Sequence, residues 1–154
     1  MTRHETVSLD DLLQRHTPDM SLEQPFYTDR SIFERDLERV VAPQWLFVEH
    51  ISALPEPGDY VLFEVAGESI IIVRGRDREV RALFNVCRHR GSRICLEPKG
   101  NVRTLTCPYH AWVYDLGGAL LRAPLMADDF DAGDWSLHAC HVHVWEGMIF
   151  INLA

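Results

Sequence analysis

The chain has 154 residues, of which 47% are apolar, enough for one ordinary domain with its own core and against a disordered chain. Its 15 Lys and Arg against 23 Asp and Glu give a net charge of −8, which repels a nucleic-acid backbone. No apolar h-region opens the sequence and no apolar run approaches the roughly eighteen residues of a membrane span, so it reads as cytoplasmic, without membrane or nucleic acid as partner.

Ser8 is placed to cap a short helix over Leu9–His16, with Asp10 and Asp11 in its first turn and Pro18 opposing continuation. The run "TDRSIFERDLERVVAPQW" predicts a second helix over Asp29–Ala42, with Phe33, Leu37, Val40 and Val41 on one stripe and Pro43 as the stop. From Trp45 the pattern turns to short β-rich runs between Pro/Gly/Asp turns. Strands are predicted over Trp45–Val48, Tyr60–Val65, Ser69–Val73, Val80–Phe84, Val102–Thr106, Trp112–Asp115, Ala119–Leu121, Leu137–Val144 and Met148–Asn152. Gly117-Gly118 marks a tight hairpin, and "MADDFDAGD" reads as a solvated acidic connection. The expected organisation is a helical segment, residues 1–44, packed on a mostly β domain, residues 45–154. The apolar strand at the end looks like a cut from a longer chain.

Two stretches carry the chemistry, "NVCRHRGSRIC" and "TCPYHAWVYD". Their candidate ligands are Cys87 and His89, then Cys107 and His110, in the pattern C-x-H, seventeen residues, C-x2-H. Four cysteines in a reducing compartment do not suggest a disulfide framework. Structural zinc sites commonly pair cysteines on one arm and histidines on the other, whereas here each arm is mixed. In a Rieske centre one iron of a [2Fe-2S] cluster keeps two Cys thiolates and the other takes two His, and mixed arms suit that division. Spacing alone leaves a mixed Cys2His2 zinc module open.

"CRHRGSRIC" with "CPYHAWVYDLGGAL" resembles the signature of Rieske non-heme iron oxygenases, the ring-hydroxylating dioxygenases and their demethylase relatives. The resemblance runs from "PFYTDRSIFERDLERVVAPQW" to "WEGMIFINLA", and "LEQPFYTD" is most similar to the branch oxidising quaternary ammonium compounds such as betaines. It implies a Rieske-type antiparallel β-sandwich with a two-loop cluster subdomain, loops about 85–96 and 106–114, and Cys87, His89, Cys107 and His110 as cluster ligands. It further implies a domain relaying single electrons from a reductase or ferredoxin to a mononuclear Fe(II). That iron belongs to a C-terminal catalytic domain, of the same or a neighbouring subunit, which these residues lack; the full-length parent is an oxidoreductase. A stand-alone Rieske ferredoxin is the alternative.

Respiratory Rieske proteins carry a further Cys at the positions of Ser92 and Tyr109, and those two form a disulfide that this chain cannot make. Its potential is therefore expected toward the lower end of a range of about −150 to +300 mV. Ala111 stands where many of these oxygenases have Gly. Arg88, Arg90 and Arg93 would either stabilise thiolates and the reduced state or pair with surface carboxylates. By the resemblance Tyr109 and Trp112 flank His110 and shield the cluster, with a hydrogen bond from one of them to a sulfur, while core packing is the plainer role for Trp112. Cys95 and Cys140 are expected as buried free thiols. Asp134, His138 and His141 do not match the facial-triad motif of these oxygenases, and His141 and His143, which share one strand face as half a metal site would, are expected as surface residues for want of a third ligand.

Overall fold

The computed structural model describes residues 8–127 and 129–154. The chain divides into two compact units at the Pro43/Gln44 boundary.

In the first unit, α1 (Leu9–Arg15) is capped by Ser8, whose Oγ accepts the Asp11 N–H at 3.5 Å. A four-residue turn, α2 (Pro25–Thr28), starts at a proline fitted to a first helical position. It leads to α3 (Arg30–Asp36), whose cap Asp29 accepts the Ser31 N–H at 2.8 Å. The predicted single helix does not continue as such. From Leu37 to Val41 the backbone winds as a π turn, with Ala42 N–H reaching Leu37 O at 2.8 Å. The wider turn rotates later residues off the predicted stripe. Leu37 and Val41 are half-buried and Val40 is 56% exposed; ahead of the π turn, within α3, Ile32 is buried and Phe33 is 59% exposed.

The second unit is antiparallel and mostly β. A seven-stranded sheet runs in the order β1 (Leu46–His50), β10 (Met148–Asn152), β9 (Ala139–Trp145), β4 (Val80–Phe84), β3 (Glu68–Arg74), β2 (Asp59–Val65) and β5 (Lys99–Asn101). A second sheet joins β6 (Leu105–Thr106), β7 (Val113–Tyr114) and β8 (Leu120–Arg122). The predicted strand over Val102–Thr106 splits: β5 precedes it and pairs with β2, while only Leu105 and Thr106 pair with β7.

β3 explains how the unit is layered. Its run "SIIIV" is buried on both faces, the usual mark of a central strand. Ile70 and Ile72 join Leu54, Ala82, Cys140, Ile149 and Ile151 in one core. Ile71 and Val73 point the other way, into a second core with Leu83, Leu105, Trp112 and Tyr114. Cys87 and Cys107 lie in that second core, so the small sheet and both Cys/His arms rest on the β3–β4 face. The Gly117-Gly118 hairpin is present, with Asp115 Oδ1 accepting the N–H groups of Gly117 and Ala119 at 2.8 and 2.9 Å. Gly118 sits at φ +90°, where a Cβ would also press Leu83 Cδ2 at 3.0 Å. The acidic connection is more than a solvated link, because Phe130 packs against this second core. Among the described residues, no helix is long and apolar enough to cross a membrane.

Candidate metal centre

The two arms fold alike. In the first, Cys87 N–H donates to Ser92 O at 2.8 Å and Gly91 N–H to Cys87 O at 2.9 Å. In the second, Cys107 N–H donates to Trp112 O at 2.8 Å and Ala111 N–H to Cys107 O at 3.1 Å. Each cysteine thus opens a tight loop closed by the residues four and five positions on. The fourth position needs a left-handed backbone, and it is Gly91 at φ +70° in one arm and Ala111 at φ +56° in the other. The departure at Ala111 is therefore accommodated, since an alanine holds the same turn at some strain.

A Cβ added to Gly91 meets nothing within 4 Å. Gly91→Ala should accordingly cost only the left-handed penalty of about 1–2 kcal/mol. Ala111→Gly should stay within about 0.5 kcal/mol of the parent, because relief of strain offsets the added freedom of the unfolded chain. Denaturant midpoints check both, and a loss well beyond 2 kcal/mol for Gly91→Ala would contradict the open space around it.

The turns bring all four sequence-predicted residues to one end of the β3–β4 face. Cys87 and Cys107 are each 2% exposed, while His89 and His110 are half-buried with ring centroids 4.7 Å apart. His89 stacks on Trp112 at 4.8 Å and 7°, and Tyr109 leans over His110 at 3.8 Å. Trp112 thus covers His89 rather than His110, and Tyr109 is 61% exposed. Behind Trp112 stand Phe130 and Trp135, edge-on at 5.6 and 5.5 Å.

Among the described residues, His89 Nδ1, Trp112 Nε1 and Arg88 Nε are buried side-chain nitrogens without a hydrogen-bond partner. All three lie on the arms, and a buried imidazole nitrogen left without a partner is suited to a metal bond. Burial, then the charges of His110 and Arg90, hold the His89 pKa down and favour the neutral ring that can ligate. Burial pushes the Cys87 thiol up. No three His, Cys, Asp or Glu side chains converge on one point among the described residues. A tetrahedral zinc site needs four ligands at one point, whereas a divided cluster asks each iron for only two.

A residue that the sequence did not single out completes the site. Arg88 N–H donates to Tyr114 Oη at 3.1 Å, which leaves the phenol proton for Cys87 Sγ at 3.3 Å. Tyr114 is fully buried. Its position seven residues after Cys107 was the available signal, but its partners are on the other arm. Of the three arginines, Arg93 forms a two-pronged pair with Glu64 at 3.1 Å and Arg88 binds His138, while Arg90 is exposed. His141 and His143 are exposed on β9. Cys95 and Cys140 are buried free thiols, and burial pushes Cys95 up to about 11.

Two matching turns, each with a Cys and a His, above an antiparallel sheet are the arrangement of the iron–sulfur proteins of Rieske type. The chain belongs to the Rieske [2Fe-2S] domain family, whose family model matches residues 44–131. It is 41% identical over 145 residues to the glycine betaine monooxygenase oxygenase subunit of Chromohalobacter salexigens, covering 94% of this chain and 33% of that one. Among solved structures it is similar to a quaternary ammonium Rieske monooxygenase in complex with L-carnitine, with TM-score 0.78 and 39% identity over 84% of this chain and 38% of that one. It is also similar to naphthalene 1,2-dioxygenase from Rhodococcus sp., with TM-score 0.84 and 30% identity over 94% of this chain and 34% of that one. The chain spans about a third of the length of the curated relatives it matches.

Proposed function

We propose that Cys87, His89, Cys107 and His110 hold the [2Fe-2S] cluster, and that this domain relays single electrons from a reductase or ferredoxin to a mononuclear iron outside these residues. The observation that carries the reading is the pair of matching turns, which presents two buried thiols beside two half-buried imidazoles, one with an unpartnered buried nitrogen. When bound, the cluster supplies one-electron storage. Around it the chain's residues divide the work. The two cysteines supply the thiolates, and the β3–β4 core keeps water from them. Tyr114 donates to one thiolate, and Trp112 walls off His89. The half-buried histidines stand at the surface, where an electron partner can approach.

We infer further that the acceptor belongs to an oxygenase acting on a quaternary ammonium compound. Similarity to the glycine betaine and carnitine enzymes over most of this chain supports that substrate class. A cytoplasmic setting fits the thiols at Cys95 and Cys140.

The test is metal and acid-labile sulfide analysis of the chain purified without oxygen, with EPR after dithionite. Two irons and two sulfides per chain and a one-electron EPR signal are expected. One zinc without sulfide would overturn the proposal.

A further inference from the structure

Asn85 lies two residues before the first candidate ligand, is not itself a ligand type for a Rieske cluster, and is completely buried. A buried amide is retained only where its polar atoms are used, and here every one is. Its Oδ1 accepts the N–H groups of Ile94 and Cys95, both at 2.9 Å. Its Nδ2 donates to Cys95 O at 2.8 Å and to Ser69 Oγ at 3.1 Å, and its backbone N–H donates to Ser69 O at 2.8 Å. Ser69, on β3, is itself 4% exposed.

One side chain thus ties three segments together: the end of β4, the return of the arm at Ile94-Cys95, and the central strand β3. The arm leaves the sheet after Phe84 and comes back at Ile94, so Asn85 grips the returning end of the loop that it also begins. Inside that grip, the Cys87–Ser92 and Gly91–Cys87 hydrogen bonds shape the tip. They set the local turn but do not fix the arm against the sheet. The second arm has a different base, the β6–β7 pairing of Leu105 with Tyr114 and Thr106 with Val113. The first arm lacks a strand pair at its base, and the Asn85 amide takes that place.

From this we infer that Asn85 is a positioning residue for the metal centre: it sets where Cys87 and His89 stand relative to Cys107 and His110. The inference rests on the ligand set proposed above. Asn85→Ala releases the Ile94-Cys95 return from β3. Asn85→Asp keeps an oxygen for both N–H groups; protonated, its O–H restores one of the two donors, whereas ionised it sets a buried carboxylate oxygen against Cys95 O.

The measurements are cluster content per folded chain, the EPR line shape after reduction, and the rate of cluster loss to a chelator. Each is made on the wild type, on both Asn85 variants, and on Ile151→Ala, which weakens the opposite core without touching the arms. Asn85→Ala should lower cluster content at least tenfold or speed its loss at least tenfold, with an altered line shape in what remains. Asn85→Asp should recover part of both at acid pH, where its carboxyl is protonated, and lose that recovery as the pH rises and it ionises. Ile151→Ala should melt earlier yet keep the wild-type line shape and loss rate. If Asn85→Ala retains both, or if Ile151→Ala changes them equally, Asn85 serves only general stability and the inference fails. A wild-type chain without two irons and two sulfides would overturn the ligand assignment instead, so the two failures are distinguishable.

Discussion

Trp112→Ala is expected to destabilise the second unit by about 3–5 kcal/mol, the usual range for removing a fully buried indole. Trp112 is 0% exposed and touches His89, Phe130 and Trp135 through its ring, so its loss opens a cavity bounded by aromatic groups that cannot all move inward. For a chain of this size about 2–4 °C accompanies each kcal/mol, which places the fall in Tm near 10 °C. His89 also loses its stacking surface, so cluster content should fall with stability. Trp112→Phe should cost less, because it keeps an aromatic wall. Its indole N–H has no protein partner, so that change breaks no hydrogen bond within the chain. Thermal melting followed by circular dichroism checks the ranking, with Leu121→Ala, on an exposed side chain, as the reference. A loss below about 1 kcal/mol for Trp112→Ala would mean that the aromatic wall is not close-packed.

Trp112 also shows how far the sequence could be read. Its place beside a candidate ligand histidine was legible from "CPYHAW", yet its partner is His89 on the other arm. Facts local to the chain came through well. Ser8 and Asp29 cap helices because their short side chains reach nearby N–H groups, and β4 and β10 have the predicted ends because β-rich runs stop at turn residues. The two Cys/His arms that the fold brings together were readable as a spacing. What depends on residues distant in sequence was not readable. Asn85 has no periodicity to betray it, and its task exists only once Ser69 and Cys95 are adjacent. The π turn at Leu37 illustrates a different limit. A stripe drawn at 3.6 residues per turn fails at Val40, where the backbone takes a wider turn, while in the regular helix ahead of it the buried position is Ile32 and not Phe33.

Tyr114→Phe should lower the midpoint potential of the loaded domain while leaving its fold in place. The Tyr114 hydroxyl accepts Arg88 N–H, so its own proton is directed to Cys87 Sγ. A donor to a thiolate stabilises whichever redox state holds more negative charge on sulfur, which is the reduced state. Hydrogen bonds to charged groups contribute about 1.5–3 kcal/mol, and only the part that differs between redox states moves the potential. A difference near 1.4 kcal/mol is tenfold in the reduced-to-oxidised ratio, or about 60 mV for a one-electron couple. Stability should fall by about 1–2 kcal/mol, since Arg88 N–H loses its acceptor. Tyr109→Phe is the matching control, because that ring is mostly exposed and leans on His110 rather than on a cysteine. With Ser92 and Tyr109 where a disulfide would need cysteines, Tyr114 is a donor that still reaches a thiol. The wild type should therefore fall near the low end of the Rieske range, yet above the Phe variant. An unchanged potential in a fully loaded Tyr114→Phe protein would show that the hydroxyl serves Arg88 alone.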